Sequence, residues 1–383
     1  MLYKLTPDLF YRAAPLFGEQ IKHHLFCAGV LAGNYSGQVI VDAPEQPRSA
    51  LVIKDGMWCY LGGEAKNEAF NEALRVALAE KEMIGKQTGA LLVSVSSKTW
   101  RDVLDSLIPD RETIRMPRRL YVASREHFKR SSGLPDGFAL RFMDDSLPAQ
   151  VQDTLPEDVQ KVLALRASAK EPDQAAFGFV ALSDQRCEAG KRALAAYAMV
   201  DCIVGPKGEI GLFTEPAFRR RGLALATSAA TIAYAVPELV ERALSHGLTD
   251  IHWDCATSNL GSLRIAEKLG LELRLEHDLY LLIFQKVGYL INLAWSHLDL
   301  GHFQATLDAG QPLLTLDGAI KHGHFLAGAA WAGLGHQKQA FTHLNHAVDH
   351  GWDDVAEIEN SLPLRPLHGT EGWAGLMARL ASH

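Results

Sequence analysis

Glu209-Ile-Gly-Leu212-Phe213-Thr214-Glu215-Pro-Ala-Phe-Arg219-Arg220-Arg221-Gly222-Leu223-Ala224-Leu-Ala-Thr-Ser-Ala-Ala-Thr-Ile-Ala-Tyr-Ala235 reads as an apolar strand, a short proline loop, a basic turn and a long alanine-rich helix. Strand, turn and helix meet at Gly222. The first N–H groups of the helix, from Leu223 onward, have no acceptor within it and lie at the positive end of its dipole, so the junction suits an anion, above all a pyrophosphate. Gly222 lets a ligand approach the main chain closely. Ala224 and Ala226 keep the helix face low, and Arg219, Arg220 and Arg221 set positive charge beside it. The expected ligand carries phosphates.

Downstream, Ile251-His-Trp253-Asp254-Cys255 reads as a strand, followed by Thr257-Ser-Asn259-Leu-Gly-Ser262-Leu-Arg-Ile-Ala266-Glu-Lys268-Leu-Gly270-Leu271, a helix that Asn259 can cap. Upstream, Pro156 to Leu165 predicts a helix, the runs from Ala175 and Arg192 predict strands, and Gly205-Pro-Lys-Gly208 a turn. Earlier still, Lys54-Asp55-Gly56 between two apolar runs predicts a hairpin, with a helix capped by Asn67 after it. Gly89 to Ser96 and Arg118 to Ala123 read as strands and Trp100 to Leu107 as a short helix. The segments before and after residue 137 are both α/β.

From Val287 the pattern changes to helices alone. Leu300-Gly301-His302 recurs as Leu334-Gly335-His336, 34 residues on, which is the period of tetratricopeptide hairpins. The expected organisation is an N-terminal α/β lobe over 1–136, a second over 137–286, and a tetratricopeptide-like all-α domain over 287–383.

The chain has 383 residues, 48% hydrophobic and 22% charged, with a net charge of −7. That balance fits a folded protein in water and gives no electrostatic reason for binding nucleic acid or an anionic membrane. Arg111 to Arg130 is the most basic stretch, but apolar residues and Glu112 and Glu126 interrupt it, so a solvated or anion-facing surface is the expectation. Five scattered cysteines without a Cys-x-x-Cys argue for a reducing compartment. No secretory signal or membrane-length apolar run is read, and a cytoplasmic location is expected.

The spacing Arg219-x-x-Gly222-x-Ala224 after a strand, with Asn259-x-x-Ser262 and Lys268-x-Gly270-Leu271 in order behind it, resembles GCN5-related N-acetyltransferases (GNATs). Trp253-Asp254-Cys255, with Pro47-Arg-Ser-Ala-Leu-Val-Ile and Tyr60-Leu-Gly-Gly-Glu64 upstream, is similar to a bacterial subfamily that includes zwittermicin-type antibiotic-resistance enzymes. The resemblance covers residues from about 30 to 286. It implies acetyl transfer from acetyl-CoA, with no metal, to the amine of a small molecule, an antibiotic or an amino-metabolite. The lobe over 1–136 is then a degenerate GNAT-like lobe that shapes the acceptor pocket.

In that fold the strand Glu209–Thr214 diverges from Ile251–Cys255, and the thioester lies in the gap with its carbonyl on strand N–H groups, here those of Leu212, Phe213 and Thr214. The loop Arg219 to Ala224, including Leu223, would hold the pyrophosphate, and Asn259 and Ser262 would contact the pantetheine arm or the CoA phosphates, unless they only cap and pack their helix. A base must take the ammonium proton. The resemblance points to Glu209, within one residue of the usual register; Glu215 at the loop mouth is an alternative, and Asp254 can orient it. The family's usual tyrosine acid is replaced by Ala266, so Tyr280 or solvent would protonate the thiolate.

Other residues weigh less. His322, His324, His336, His343, His346 and His350 are dense but irregularly spaced, which reads as helix-surface histidines. Cys255 reads as a core residue, and Ser94, Ser96 and Ser97 lack a Gly-x-Ser-x-Gly elbow. A different class stays open: an acetyl-CoA-binding scaffold without turnover, whose helical tail recruits a partner or self-associates.

Overall fold

A computed structural model describes residues 1–80, 89–108, 111–123, 127–129, 133–151, 155–168, 175–186, 190–236 and 247–381. Arg125, Glu126, Arg130 and Cys187 lie outside the described residues. Twelve strands contribute to a large mixed sheet: β1 (Tyr3–Lys4), β2 (Gln38–Val41), β3 (Ser49–Lys54), β4 (Trp58–Gly63), β5 (Ala90–Val95), β6 (Ile114–Ala123), β7 (Phe138–Phe142), β8 (Phe177–Arg186), β9 (Arg192–Val204), β10 (Lys207–Thr214), β11 (Asp250–Ala256) and β12 (Glu272–Ile283). The chain forms two compact units. One comprises Met1–Leu74, Ser94–Val103 and Pro117–Leu279, the other Arg75–Val93, Leu104–Met116 and Tyr280–His383.

In the first unit β2, β3 and β4 form an antiparallel meander. Its tight turn places Asp55 and Gly56 at φ of 53° and 68°, the left-handed geometry that an Asp-Gly pair supplies. Asn67 caps the following helix Glu68–Ala79 by accepting the Phe70 N–H at 3.2 Å. A second run of strands lies in the order β6-β11-β10-β9-β8-β7; the pairings of β6 with β11 and from β10 through β7 are antiparallel, and β10 with β11 is parallel. A parallel pair needs a crossover, and the helix Leu223–Ala235 lies in it. Alanine has the highest helix propensity. Ala229, Ile232 and Ala235 pack on Trp253, Ile251 and Ile210, and Thr231 Oγ1 donates to Ala198 O at 3.0 Å.

The helix Leu25–Leu31 packs on β9 and β10. It approaches so closely at Gly29 that a Cβ there would meet the Tyr35 ring at 2.5 Å. The Tyr35 hydroxyl in turn accepts the Ile203 N–H at 2.6 Å.

In the second unit Tyr280–Ile283 pairs antiparallel with Ala90–Val93. Helices Lys286–Asp299, Phe303–Gly310, Ile320–Gly333 and Gln337–Asp349 follow. The recurring tripeptides build the same turn. His302 N donates to His297 O at 2.8 Å and His336 N to Trp331 O at 2.9 Å, while Gly301 and Gly335 take φ of 73° and 82°. This six-to-one bond with a left-handed glycine is a helix stop that satisfies otherwise orphaned carbonyls. The interior holds Phe325 stacked on Trp352 at 4.2 Å, with Leu344 and Ile358.

Within the basic stretch Arg118 faces an internal carboxylate, not open solvent. That guanidinium is partly buried against Asp254, Nε to Oδ1 at 2.9 Å and Nη2 to the Asp254 carbonyl at 3.0 Å. Arg119 does face solvent, paired with Glu276, and Arg111 donates to Ile283 O at 2.7 Å. The positive charge serves local structure.

Candidate active site

The site is built by a strand pairing that stops. β10 and β11 match for three residues, Lys207 to Asp250, Gly208 to Ile251 and Glu209 to His252. A bulge then interrupts β10 between Glu209 and Ile210, yet β10 stays with β9 as far as Thr214, and β11 stays with β6 as far as Ala256. The two inner edges therefore separate beyond Glu209. A bulge bends its strand and sharpens the twist, which is the local cause.

Side-chain alternation assigns the faces. Ile251, Trp253 and Cys255 join the core with the alanine-rich helix, so His252 and Asp254 face the other way. Glu209 pairs in register with His252 and shares that face. Burial raises its carboxyl to about 8, the negative charges of Asp254 and Asp201 adding to the effect against Arg118. Such a group is largely protonated at neutral pH and poised to exchange a proton near it.

Asp254 behaves in the opposite sense. Burial pulls its pKa up, but the His277 hydrogen bond, Nε2 to Oδ1 at 3.3 Å, and the Arg118 guanidinium outweigh burial and hold it below the ordinary carboxylate value. Two carboxyls on one face are thus driven apart, one neutral and one ionised, the pattern that separates proton carrier from fixed charge. His24 stands edge-on to His277 with ring centroids 5.0 Å apart, and burial, reinforced by His277, pushes it down to about 3. His24 Nε2 meets Ser94 Oγ at 2.9 Å, Gln20 Nε2 donates to the same hydroxyl at 2.8 Å, and the Tyr60 ring lies 5.5 Å from His24. Residues from the N-terminal segment and from the strands around Glu209 thus form one buried polar group.

The anion loop follows the strand. Glu215 N donates to Ala195 O at 2.9 Å, a single turn over Pro216–Phe218 reverses the chain, and Arg219 Nε donates to Thr214 O at 3.3 Å. Arg220 takes a φ of 62°, and Gly222 starts the helix Leu223–Ala235 at φ of 81° with no side-chain cap. Among the described residues a Cβ on Gly222 would meet nothing nearer than Pro135 at 3.8 Å, so it is the backbone conformation that asks for glycine. The hydroxyl of Thr214 is buried and, among the described residues, has no hydrogen-bond partner. Arg219, Arg220 and Arg221 are exposed, with Arg221 over the Phe218 ring at 5.7 Å. Uncapped helix N–H groups, three surface guanidiniums and an unsatisfied hydroxyl fit an anionic, phosphate-bearing ligand.

Glu215 stands at the far end of the same strand from Glu209, roughly 20 Å away at the usual rise per residue; its neighbours are Tyr197 and the loop. The fold does not bring the two glutamates together. Leu212 packs on the core, whereas Phe213 is exposed beside Tyr197, which leaves their main chain as the part available to a thioester. Asn259 Oδ1 accepts the Ser262 N–H at 3.0 Å, and Trp253 Nε1 donates to Ser262 Oγ at 3.0 Å; both side chains have capping and packing contacts. Ala266 is fully buried. Tyr280 is buried opposite Val93 in the second unit. Sequence reasoning missed His24, His277 and Arg118. His277 lies in a strand whose alternation places polar residues on one side, but no spacing links it to His24, more than two hundred residues earlier.

The GNAT acetyltransferase family model matches residues 14–280. This chain belongs to that family. GNAT enzymes use acetyl-CoA as cosubstrate, so acetyl transfer is its chemistry. The chain is similar to an uncharacterized N-acetyltransferase, YdfB of Bacillus subtilis (strain 168), at 22% identity over 287 residues, covering 73% of this chain and 98% of that one. Among solved structures it is similar to a GCN5-related N-acetyltransferase-like protein from Streptococcus suis 89/1591, with 20% identity, a TM-score of 0.49, and coverage of 71% of this chain and 98% of that one. A GCN5-related N-acetyltransferase from Sphaerobacter thermophilus gives 13% identity and a TM-score of 0.48, covering 74% of this chain and 96% of that one. The family match stops at Tyr280, and the helical segment lies beyond it.

Proposed function

We propose that this GNAT enzyme moves the acetyl group of acetyl-CoA directly to the amine of a small molecule, with Glu209 as the base. The observation that carries the reading is the parting of β10 from β11 at Glu209. The main chain beyond it offers donors to the thioester carbonyl as negative charge develops there, with Leu212, Phe213 and Thr214 nearest the loop. Arg219 to Ala224 would receive the pyrophosphate. The amine nitrogen forms a C–N bond as the C–S bond breaks, the ammonium proton passes to Glu209 once that carboxyl is ionised, and the thiolate leaves. A thiolate of ordinary pKa, about 8.5, takes its proton from solvent without a dedicated acid. Tyr280 stays the side-chain candidate for that step.

The N-terminal segment, through His24 and Tyr60, would shape the acceptor pocket. An antibiotic or amino-metabolite fits the resistance-type resemblance, and the helical tail reads as tetratricopeptide-like, offering a surface to a partner or a second copy. The buried Ala266 where a tyrosine acid is expected favours one rival reading, an acetyl-CoA-binding scaffold. Calorimetry with acetyl-CoA, together with thiol release across a panel of amines, tests the proposal. Turnover on an amine, lost in Glu209→Gln, is the expected result; binding without turnover on any amine would point to the scaffold.

A further inference from the structure

The histidines of the tail, scattered along the sequence, are gathered by the fold. His324 Nδ1 and His343 Nδ1 lie 3.0 Å apart, and the rings of His346 and His350 have centroids 5.1 and 5.5 Å from that of His324. His343, His346 and His350 fall on one side of the helix Gln337–Asp349 and its last turn, and His324 meets them from Ile320–Gly333. The group is open to solvent: His343 lines a surface hollow with Lys338, Gln339 and Thr342.

Competing partners are few. Asp349 is held by Arg379 and stands 3.9 Å from His346 Nδ1. His350 Nδ1 bonds to the His346 carbonyl at 2.8 Å, which ties that ring to the backbone.

We propose that His324 and His343 are the primary ligands of a site for one borderline divalent transition-metal ion of the Zn2+ class, with His346 turning in as a third ligand. The two nitrogens would subtend roughly 94° at an ion about 2.05 Å from each, between octahedral and tetrahedral angles. Binding replaces the present nitrogen-to-nitrogen hydrogen bond, and the shared proton moves to an Nε2. Among the described residues no three side chains already stand in position to hold an ion, so the third ligand must rotate; His346 is exposed.

The test is calorimetric titration of the untagged full chain with Zn2+ at pH 7.5. One saturable site with a Kd of about 10 μM or tighter is expected, weakened at least tenfold, roughly 1.4 kcal/mol, by His324→Gln and by His343→Gln. His336→Gln, outside the cluster, should leave it unchanged. Circular dichroism of the metal-free variants checks their folding. Electron paramagnetic resonance of the wild-type chain with one equivalent of Cu2+ should show coupling to at least two imidazole nitrogens, a readout that needs no variant. No saturable Zn2+ uptake, uptake that survives both substitutions, or Cu2+ with fewer than two nitrogens would overturn the proposal.

Discussion

Replacing Glu209 by glutamine tests the site through stability and catalysis at once. In the folded chain this carboxyl is raised from the ordinary 4.5 to about 8. For an acid held neutral by burial, the unfolded chain ionises first as pH rises. The wild type therefore loses stability between pH 4.5 and 8, and above that window the loss is complete. A shift of this size corresponds to roughly 5 kcal/mol at full burial; Glu209 keeps some accessible surface, and solvent screening brings the expectation to about 2–4 kcal/mol. Glutamine has nearly the same shape and nothing to ionise. The melting temperature of the variant should match that of the wild type near pH 4.5 and exceed it by roughly 5–15 °C at pH 9. The kcat/KM of the wild type should climb with pH through about 8, as Glu209 becomes a base, and fall by a factor of about 10²–10⁴ in the variant. Paired thermal scans across pH, with thiol-release kinetics, make the measurement. A melting-temperature difference that stays constant from pH 4.5 to 9 would refute the burial argument, and undiminished turnover would remove Glu209 from the chemistry.

Asp254→Asn should cost about 3–5 kcal/mol in denaturant unfolding, because it leaves the mostly buried Arg118 guanidinium without its counter-charge; it should also move the rising limb of kcat/KM to lower pH, since one of the charges that raises Glu209 is gone. Ser262→Ala is expected to cost about 1–3 kcal/mol by stranding Trp253 Nε1, with the KM for acetyl-CoA unchanged if Ser262 only packs; a raised KM with unaltered stability would instead mark a pantetheine contact. Gly222→Ala should cost about 1 kcal/mol of stability through its positive φ and, if the proposed pyrophosphate site is right, weaken acetyl-CoA binding by calorimetry, because the methyl group would stand where the phosphates are proposed to approach. Gly335→Ala should lower stability by about 1 kcal/mol, read from the thermal transition, without altering acetyl-CoA affinity.

The strand, turn and helix around Gly222 were legible because the signal is local: Gly222, the arginines before it and the small residues after it lie within a few positions. The hairpin at Asp55-Gly56 and the repeated Leu-Gly-His turns were legible for the same reason. Glu209 could be proposed as a base from its strand, but its raised pKa could not, since that depends first on burial by the folded chain and then on Asp254 and Asp201 being brought near by pairing across the sheet. Arg118 looked like one more surface charge in a basic run, and only the register of β6 with β11 places it on Asp254. The histidines show the limit most plainly. Along the chain His324 is nineteen positions from His343, a spacing that no single helix makes meaningful, and it takes the packing of one helix on the next to bring their nitrogens together.

The parted strands have a thermodynamic consequence. Between Ile210 and Thr214 the sheet forgoes rungs it could have made, so part of its cohesion is left for a small molecule to supply. Acetyl-CoA held there would act as a surrogate strand as well as a reactant: at a hundred times its dissociation constant it would add about 2.7 kcal/mol to the fold. The enzyme's resistance to unfolding would then follow the cell's supply of activated acetate, and amides along those inner edges should exchange slowly only when that supply is high.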